Sequence, residues 1–596
     1  MRLGPRILVA GVAAAALVPA LTVSALADPG TGRAQVGDRT SPVEAKRVDQ
    51  VPTPKLGWYK CYDYAECATV RLPLDYDDPK GATTEIAVLR VKARNAKKRI
   101  GSLFVNPGGP GGQGTALAYA APDMLGADVL DRFDIVGFDP RGIGFSSNVT
   151  CFKSTRDQTL AMEGMRVPFP VGAKEEGAYI KSAKALAKGC STTGKPLSGS
   201  MSTAEVARDM DVLRRAVGDK KLSYLGFSYG TALAQYYANM FPDRLRVMVA
   251  DGVLNPVSWV GHGANEKQLL DDRLKSGDGS YKALKEMLVR CGKAGKKKCS
   301  FAAYGDPVKN FDVLAKRLKA KPADIEGQKV TYADLVAGTL GYLYSPDGYL
   351  IIDASLTDLW KATAPSIKAE EAEAARHALA TRIAQRRAEV EAQQKAAANV
   401  LAKDFPYDNS PDALSSVICT DASHPKKAED WPALTAAADR RAPYFGGGWG
   451  WTTVQCARQS WTVRDEDAYN GPFNRRTSAP VLFVGDYYDP ATNYNDAVSS
   501  SKLLPNSRLL SSDSWGHTAY GTSACVTGAI ETYLVKGTLP PAGKVCVGDI
   551  QPFEKAPGTA LKPRGPADAS VMAAGHDAKL PPVATRIPPS VLLGTR

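Results

Sequence analysis

A serine flanked by glycines is the first residue of this chain whose setting could support chemistry. Ser228 lies in Gly226-Phe227-Ser228-Tyr229-Gly230, which fits the pattern G-x-S-x-G. The residues before it, 222–225, are typical of a buried strand, and those after it, 231–240, of a helix. A tight turn between strand and helix pushes the hydroxyl out at the carboxyl end of a sheet, and the flanking glycines avoid clashes. We therefore predict that Ser228 is a nucleophile.

A serine hydroxyl reacts only when a base removes its proton. The chain has five histidines, at positions 262, 377, 424, 517 and 576. In folds with this serine turn, the acid and then the histidine follow the serine along the chain. The first three histidines fall inside a predicted helical insertion, and His576 lies in a tail with no element to hold its ring. This leaves His517, on a loop just past a predicted strand, as the base.

Two aspartates follow the strand predicted over 480–484 and qualify as the acid. Asp486 lies at the strand exit, where a turn residue is common, whereas Asp489 is followed by Pro490, which fixes the loop. Asp489 is therefore favoured. Its carboxylate would hold the imidazole in the tautomer that presents a free nitrogen to Ser228 and would stabilise the imidazolium. The sequence predicts a Ser228, His517 and Asp489 triad.

Acyl transfer also needs donors for a developing oxyanion. The strand predicted over 102–105 is followed by Asn106-Pro107-Gly108-Gly109-Pro110-Gly111-Gly112, where bare backbone N–H groups can approach a substrate carbonyl. We predict the N–H groups of Gly109 and Tyr229 as the oxyanion hole. A phosphate-binding loop is the alternative, but no Lys-Ser/Thr follows the glycines and the pattern G-x-G-x-x-G is not met.

The elements that must position these groups alternate in type. From 56 to 256 short apolar strands alternate with helices, which indicates a parallel sheet covered on both faces. Residues 257–475 are mainly helical in pattern, and the strand pattern resumes over 476–554. The predicted fold class is α/β: an α/β-hydrolase fold, mostly parallel with helices on both faces, with a large helical cap insertion. Segments 28–55, a lead or pro-segment, and 555–596, a tail, are predicted to be flexible.

The first residues have the composition of an export signal. Arg2 and Arg6 precede an apolar run over 7–26, and the run ends in Ala25-Leu26-Ala27. A signal peptidase recognises small residues at two positions, here Ala25 and Ala27, so a signal peptide is predicted over 1–27. A membrane anchor is the alternative, because the run is nearly long enough to span a bilayer. Its early Gly and Pro and the A-x-A exit favour cleavage, and hence a secreted, extracellular protein without a stable membrane anchor.

The ten cysteines agree with export, because an even count in an exported chain indicates disulfides. Metal binding is the competing interpretation, but the sequence has no C-x-x-C pair and no Cys/His cluster. Pairing of nearest neighbours would give five loops, of which Cys291–Cys299 and Cys61–Cys67 are the shortest. The sequence alone does not fix this connectivity.

The charge and composition limit the partners. With 44% hydrophobic and 23% charged residues the chain is typical of a globular protein. A formal net charge of +13 could favour anionic cell-wall polymers, but the charges are scattered, so a solvated lysine-rich surface is the favoured explanation. The densest cluster, Lys296 to Lys298, lies in a small predicted disulfide loop without interleaved aromatics. Nucleic-acid binding therefore has little support.

Five motifs occur in a fixed order: N-P-G-G-P-G-G from residue 106, D-P-R-G-I-G-F-S from 139, L-G-F-S-Y-G-T from 225, V-G-D-Y-Y-D-P-A-T-N-Y from 484 and G-H-T-A-Y from 516. Together they resemble the secreted bacterial tripeptidyl aminopeptidases, relatives of the prolyl iminopeptidases, over roughly residues 55 to 550. Asn493 stands where that family often has Pro, and Asp486 where it often has Gly.

The resemblance implies the same triad, a disulfide between Cys419 and Cys456, and release of short peptides from free N-termini. No metal or organic cofactor is needed for this chemistry. An exopeptidase also needs a carboxylate in the cap to hold the substrate's ammonium, and apolar walls. Asp421 is a candidate for the carboxylate, and Trp449 and Trp451 for the walls, with Tyr444 and Phe445 beside them. A solvated acid and ordinary aromatic packing are the alternative roles for these residues.

Two other functions remain compatible with the residues. An esterase or lipase would use the same triad, because acyl-ester and acyl-amide hydrolysis need the same groups. A catalytically inactive hydrolase-fold scaffold or cell-wall binding protein is the third hypothesis.

Overall fold

The structure of the chain, a computed structural model, describes residues 37–401 and 408–554. The predicted signal peptide (1–27) and the predicted tail (555–596) lie outside the described residues. Within the described ranges, none of the helices combines the length and the apolar character needed to cross a bilayer.

The described residues form twelve strands: β1 (Tyr59–Cys61), β2 (Ala65–Pro73), β3 (Thr83–Val91), β4 (Gly101–Asn106), β5 (Phe133–Phe138), β6 (Leu222–Phe227), β7 (Leu245–Asp251), β8 (Ala323–Ile325), β9 (Gln328–Val330), β10 (Val481–Tyr488), β11 (Ser507–Trp515) and β12 (Val545–Val547).

The α-helices over the same described ranges are α1 (Pro42–Asp49), α2 (Gly114–Met124), α3 (Ala127–Arg132), α4 (Thr155–Ala161), α5 (Ala173–Thr192), α6 (Thr203–Ala216), α7 (Tyr229–Met240), α8 (Pro256–Val260), α9 (Leu270–Leu274), α10 (Ser276–Ala294), α11 (Pro307–Ala320), α12 (Tyr332–Leu343), α13 (Tyr349–Thr363), α14 (Ala369–Leu401), α15 (Ser410–Asp421), α16 (Trp431–Arg441), α17 (Phe445–Gly450), α18 (Tyr494–Leu503) and α19 (Ala524–Lys536).

Ten of the strands make one sheet in the order β1-β2-β3-β5-β4-β6-β7-β10-β11-β12, and β8 and β9 form a separate hairpin. The pairs β1/β2, β2/β3 and β3/β5 are antiparallel, and all other pairs of the large sheet are parallel. A mostly parallel sheet needs helices on both faces, since its strands are buried on both sides. The sheet confirms the predicted α/β-hydrolase fold class.

The residues of β6 show why the central strands bury so well. All six residues of β6 are buried. Leu222 and Tyr224 pack into the apolar cluster on one face, and Leu225 and Phe227 into the cluster on the other. Successive side chains of a strand point to opposite faces, so a continuous apolar run fills both layers. The carboxyl ends of β6, β7, β10 and β11 consequently lie side by side at one edge of a rigid sheet.

Between β7 and β10 the described residues form the helices α8 to α17 and the β8/β9 hairpin. We call this region the insertion. Much of it packs around a cluster of buried side chains that is separate from the two on the sheet and includes Leu284, Phe311 and Trp431. The cluster also contains Trp515 of β11, so the insertion packs against the end of the sheet where the strands finish. The domain boundaries given from the sequence stay predictions.

One prediction for the amino-terminal region is wrong. Part of the supposedly flexible lead, residues 42–49, forms helix α1, with Ser41 as its N-cap and Pro42 in the first turn. Val48 is fully buried, and Glu44 binds the buried guanidinium of Arg208. Helix α1 is short and polar, so its stability comes from these tertiary partners, which the local composition does not show.

The ten cysteines form five disulfides between successive cysteines: Cys61–Cys67, Cys151–Cys190, Cys291–Cys299, Cys419–Cys456 and Cys525–Cys546. This is the pairing of nearest neighbours, and it includes the Cys419–Cys456 bond that the resemblance implies. Each disulfide limits the freedom of the unfolded chain and typically adds about 2–4 kcal/mol of stability.

Candidate active site

Ser228 occupies a sharp turn between β6 and α7. Its backbone has φ 55° and ψ −125°, a conformation that residues with a side chain rarely adopt. The surrounding chain holds it there: the Ser228 N–H donates to the carbonyl of Asp251 at 3.0 Å. A Cβ on Gly226 would lie 2.5 Å from the Gly230 carbonyl, so only glycine fits at that position of the motif. The strained turn presents the serine at the carboxyl end of the sheet, as expected for a nucleophile.

His517 and Asp489 are in direct contact. Nδ1 of His517 lies 3.0 and 2.9 Å from the two carboxylate oxygens of Asp489, and both side chains are buried. The backbone N–H of His517 donates to the carbonyl of Tyr344 at 2.9 Å. Since Nδ1 faces a carboxylate, it carries the proton, and Nε2 is left as an acceptor. Nε2 is buried and makes no hydrogen bond within the part of the chain that the structure describes.

The Asp489 carboxylate is held by its own loop. Its Oδ1 accepts from the N–H groups of Ala491 and Thr492, both at 2.8 Å, and its Oδ2 accepts from the Thr492 hydroxyl at 2.8 Å. Burial raises the pKa of Asp489, but the charge of His517 and these hydrogen bonds outweigh burial and place the pKa below its ordinary value. The carboxylate is therefore ionised and fixed in orientation, which is what a residue orienting an imidazole requires.

Asp486, the other aspartate considered for the acid, has a different setting. It is 1% exposed, and neither carboxylate oxygen has a hydrogen-bond partner among the described residues. Burial, and then the charges of Asp251 and Asp489, raise its pKa well above the ordinary value. The geometry therefore supports Asp489 as the partner of His517.

Asp251, which the sequence analysis did not single out, connects the serine turn to the histidine loop. While its carbonyl accepts from Ser228, its carboxylate accepts from the N–H groups of Ala519 (3.1 Å) and Tyr520 (2.8 Å), just after His517. The next residue, Gly252, lies so close to the imidazole that an added Cβ would be 3.3 Å from Cε1 of His517. An acid at the end of an apolar strand, next to the serine strand, was the available sequence signal.

The glycine-rich loop after β4 lies against the serine turn. A Cβ on Gly108 would be 2.4 Å from the carbonyl of Phe227 and 2.9 Å from both Cβ of Ser228 and N of Tyr229. Gly108 and Gly109 have φ values of 93° and 116°, which favour glycine. Tyr229 is the first residue of α7, and the N–H of such a residue has no partner inside its helix. The loop and the helix start thus bring backbone donors to the nucleophile, as an oxyanion hole requires.

Asp421, the predicted ammonium anchor, is close to the serine turn but is already engaged. It is 5% exposed, and it accepts hydrogen bonds from the N–H and hydroxyl of Thr203 and from the indole of Trp259 at 2.9 Å. The Thr203 hydroxyl in turn contacts the Tyr229 hydroxyl at 2.5 Å. Burial raises the pKa of Asp421 to about 6, against the effect of these hydrogen bonds. Its surroundings make Asp421 a structural tie between α6 and the end of α15.

The two tryptophans predicted as walls of the substrate site have different surroundings. The indole of Trp449 is half-buried and donates to the Ser280 hydroxyl at 2.9 Å, and that hydroxyl donates to the carbonyl of Pro490, next to Asp489. Trp449 therefore lies beside the acid loop. The prediction for Trp451 is wrong, because its side chain is 3% exposed and packs edge-on against Tyr179 of α5. Periodicity cannot tell such packing from a pocket wall.

Phe445 is fully buried as well, and Tyr444 packs against Phe311 with ring centroids 4.9 Å apart. Instead, the aromatic residue at the histidine is Tyr344, which follows α12 and had no signal in the sequence. Its ring centroid lies 5.1 Å from that of His517.

With the geometry described, the chain can be compared with known proteins. Residues 101–276 match the family model described as "alpha/beta hydrolase fold", and residues 442–546 match the one described as "TAP-like protein". The first range holds the serine turn and the second the acid and histidine loops.

Three relatives share most of their length with this chain. A protein named "Tripeptidyl aminopeptidase" from Streptomyces coelicolor is 28% identical over 82% of this chain and 84% of its own. "Serine protease Hip1" from Mycobacterium tuberculosis is 28% identical, covering 83% of this chain and 92% of its own. "Carboxylesterase B" from the same species is 29% identical, over 83% and 91%. The chain is therefore a hydrolase with the α/β-hydrolase fold, and it is similar over most of its length to the tripeptidyl aminopeptidases.

Proposed function

We propose that this protein is a secreted serine exopeptidase that releases short peptides from the free N-termini of its substrates. The observation that carries the proposal is the contact of His517 Nδ1 with Asp489, next to the strained turn of Ser228. It leaves the far nitrogen of the imidazole free to take the serine proton.

In the proposed reaction, Nε2 of His517 removes the proton of the Ser228 hydroxyl as Oγ attacks the scissile carbonyl. The tetrahedral oxyanion would accept from the N–H groups of Tyr229 and Gly109. The C–N bond then breaks, and the leaving amine takes the proton from the imidazolium, which gives an acyl-enzyme on Ser228. Water, deprotonated by the same nitrogen, attacks the ester and frees the short peptide and the serine.

The relatives support a peptide substrate. Two of the three are named as peptidases, one as a tripeptidyl aminopeptidase and one as a serine protease. An ester-cleaving activity is the second candidate, and the relative named carboxylesterase B favours it. Secretion is supported by the five disulfides, which persist in oxidising compartments, together with the predicted signal peptide.

The nucleophile is tested by labelling the purified protein with a fluorophosphonate, which reacts with activated serines. We expect one label per chain on Ser228, no label on Ser228→Ala, and a fall of about 10⁶ in kcat for that variant. Ser223→Ala, in the same strand but before the turn, is the matched control and should keep its label. Equal labelling of Ser228→Ala, or none of the native protein, would support an inactive scaffold instead.

The substrate class is tested with a tripeptidyl anilide whose amino end is either free or acetylated. An exopeptidase should cleave the free form with a kcat/KM at least about tenfold higher, because one charged hydrogen bond contributes about 1.5–3 kcal/mol. Equal values for the two substrates would contradict the exopeptidase. Rapid turnover of short-chain esters with neither anilide cleaved would favour the carboxylesterase.

A further inference from the structure

The proposed exopeptidase lacks an obvious partner for its substrate's ammonium. Asp421 cannot serve, because both of its carboxylate oxygens already accept hydrogen bonds and the side chain is buried. An ammonium brought to it would have to displace the Trp259 indole or Thr203. A carboxylate that binds substrate should instead have an oxygen left over and lie near the triad.

Asp271, in the short helix α9 of the insertion, has this property. One of its oxygens accepts from the Thr452 hydroxyl at 3.2 Å, and its side chain makes no other hydrogen bond within the described residues. Unlike Oδ1 and Oδ2 of Asp486, the second oxygen is not a buried, unpartnered atom. Asp271 is only partly buried, so this oxygen is open to a ligand.

Asp271 forms no ion pair with an arginine or lysine within the described ranges. The adjacent Asp272 is paired with Arg441 at 2.6 Å. The nearest cation in sequence, Arg273, donates to the backbone carbonyls of residues 258, 259, 268 and 423. Burial raises the pKa of Asp271 to about 7, although Thr452 and the charge of Arg273 act in the opposite direction. A carboxylate set into a protein without a partner is costly, and a cationic ligand would remove that cost.

Tyr344 links this carboxylate to the triad. Its ring packs on His517, and its hydroxyl is buried without a hydrogen-bond partner in the described chain. Burial raises the pKa of the Tyr344 phenol, and the charges of Asp489 and then Asp271 raise it further. Tyr344 therefore packs on the imidazole and lies within electrostatic reach of both carboxylates.

A second series of contacts connects Asp271 to the loop that holds Asp489. The Thr452 hydroxyl that binds Asp271 lies 2.7 Å from the carbonyl of Trp449. The Trp449 indole reaches Ser280, and Ser280 reaches the carbonyl of Pro490 beside Asp489. The face of an aromatic ring attracts a cation. Trp449, which reaches the acid loop, and Tyr344, which packs on His517, thus offer aromatic faces beside the triad.

We propose that Asp271 binds the N-terminal ammonium of the substrate and so limits how much of the chain fits before the scissile bond. This inference rests on the proposed function. Three extended residues span at most about 10 Å, so the distance of this anchor from the scissile bond would set the length of the released peptide. Asp271 would thereby act on specificity, and the triad would keep its chemistry.

The experiment compares Asp271→Asn with two controls, Asp272→Asn and Asp421→Asn, on the free and acetylated tripeptidyl anilides and on p-nitrophenyl acetate. For Asp271→Asn we expect kcat/KM on the free substrate to fall about 10- to 100-fold, because a charged hydrogen bond is lost. The effect should lie mainly in KM. Rates on the acetylated substrate and the small ester should stay within about twofold, since neither presents an ammonium. Asp271→Glu should recover part of the preference.

The outcomes separate the two proposals. If the native enzyme does not distinguish free from acetylated substrate, the exopeptidase itself is contradicted. If the native enzyme does distinguish them and folded Asp271→Asn still does, only the role of Asp271 is overturned. Loss of the preference in Asp421→Asn but not in Asp271→Asn would have the same meaning and would return the anchor to Asp421. Near-ultraviolet circular dichroism and Tm establish that each variant is folded.

Discussion

Two groups of buried carboxylates lie in this protein, and they are balanced in opposite ways. The first surrounds Arg141 and Arg208 beneath α1 and α6. Arg141 is fully buried and donates to both oxygens of Asp209, to Glu205, and to three backbone carbonyls. Arg208 binds Glu44 and Glu205 in the same manner. In this group the carboxylates of Glu44, Glu205 and Asp209 each contact a guanidinium.

The second group lies at the carboxyl end of the sheet and consists of Asp251, Asp486 and Asp489. No lysine or arginine in the described parts of the chain forms an ion pair with them. The carboxylates of Asp251 and Asp489 accept from backbone N–H groups, and Asp489 also contacts His517 and the Thr492 hydroxyl. Permanent cations fix the first group as a structural element. In the second group Asp489 faces an imidazole, which is a cation only while a proton is in transfer.

The largest expected difference between the two groups is in catalysis. Asp489→Asn should lower kcat by about 10⁴, because the amide favours the wrong imidazole tautomer and cannot balance the imidazolium. This corresponds to about 5.5 kcal/mol of lost transition-state stabilisation. The measurement is kcat on the tripeptidyl anilide or the small ester, with Tm as the folding check.

Asp486→Asn is the matched control for this variant, because Asp486 lies at the same sheet edge without a bond to His517. It should retain activity within a few fold at pH 7. A loss below about tenfold for Asp489→Asn would mean that another group orients the histidine, and the contrast between the two carboxylate groups would then disappear.

A substitution in the arginine-rich group should instead lower the free energy of unfolding. Arg208→Met leaves Glu44 and Glu205 without the guanidinium that both contact, and breaking a buried ion pair from one side costs about 3–5 kcal/mol. Urea unfolding followed by fluorescence measures this loss. The kcat of the molecules that remain folded should not change.

Arg71→Met is the control for Arg208→Met, because Arg71 forms an ion pair with Glu85 while both side chains are largely exposed. Surface pairs of this kind contribute about 0–1 kcal/mol. Equal losses in the two variants would show that burial of the network adds nothing, whereas a fall in kcat for Arg208→Met would tie this group to the site.

The sequence predicted the sheet-edge site better than the arginine network, for a physical reason. A nucleophile turn and the ends of parallel strands are local patterns, so Ser228, His517 and Asp489 could be chosen from motif and chain order alone. The central strands were also placed to within a few residues, because buried strands carry continuous apolar runs. Nothing local shows that Glu44 of the supposed lead will meet Arg208.

The substrate side of the site was hardest to predict. The packing of the helices of the insertion decides the surroundings of the side chains of Asp421, Trp451 and Asp271. No periodic pattern records such packing. Asp421 could be set aside, and Asp271 considered in its place, only when the hydrogen bonds of both carboxylates were known.

The smallest expected effect is that of Asp486→Asn on stability, and it appears only as a change in how Tm depends on pH. The pKa of Asp486 in the folded state is raised by burial and by Asp251 and Asp489, the charged groups that face it, whereas an unfolded aspartate titrates near about 3.9. The folded protein therefore keeps a proton that the unfolded chain releases, and stability should fall as the pH rises from about 4 through the raised pKa. Asp486→Asn removes this titration and keeps the shape of the side chain. Its Tm should match that of the native protein near pH 4 and exceed it increasingly up to pH 9, and parallel Tm curves for the two proteins over that range would show that Asp486 is ionised without cost.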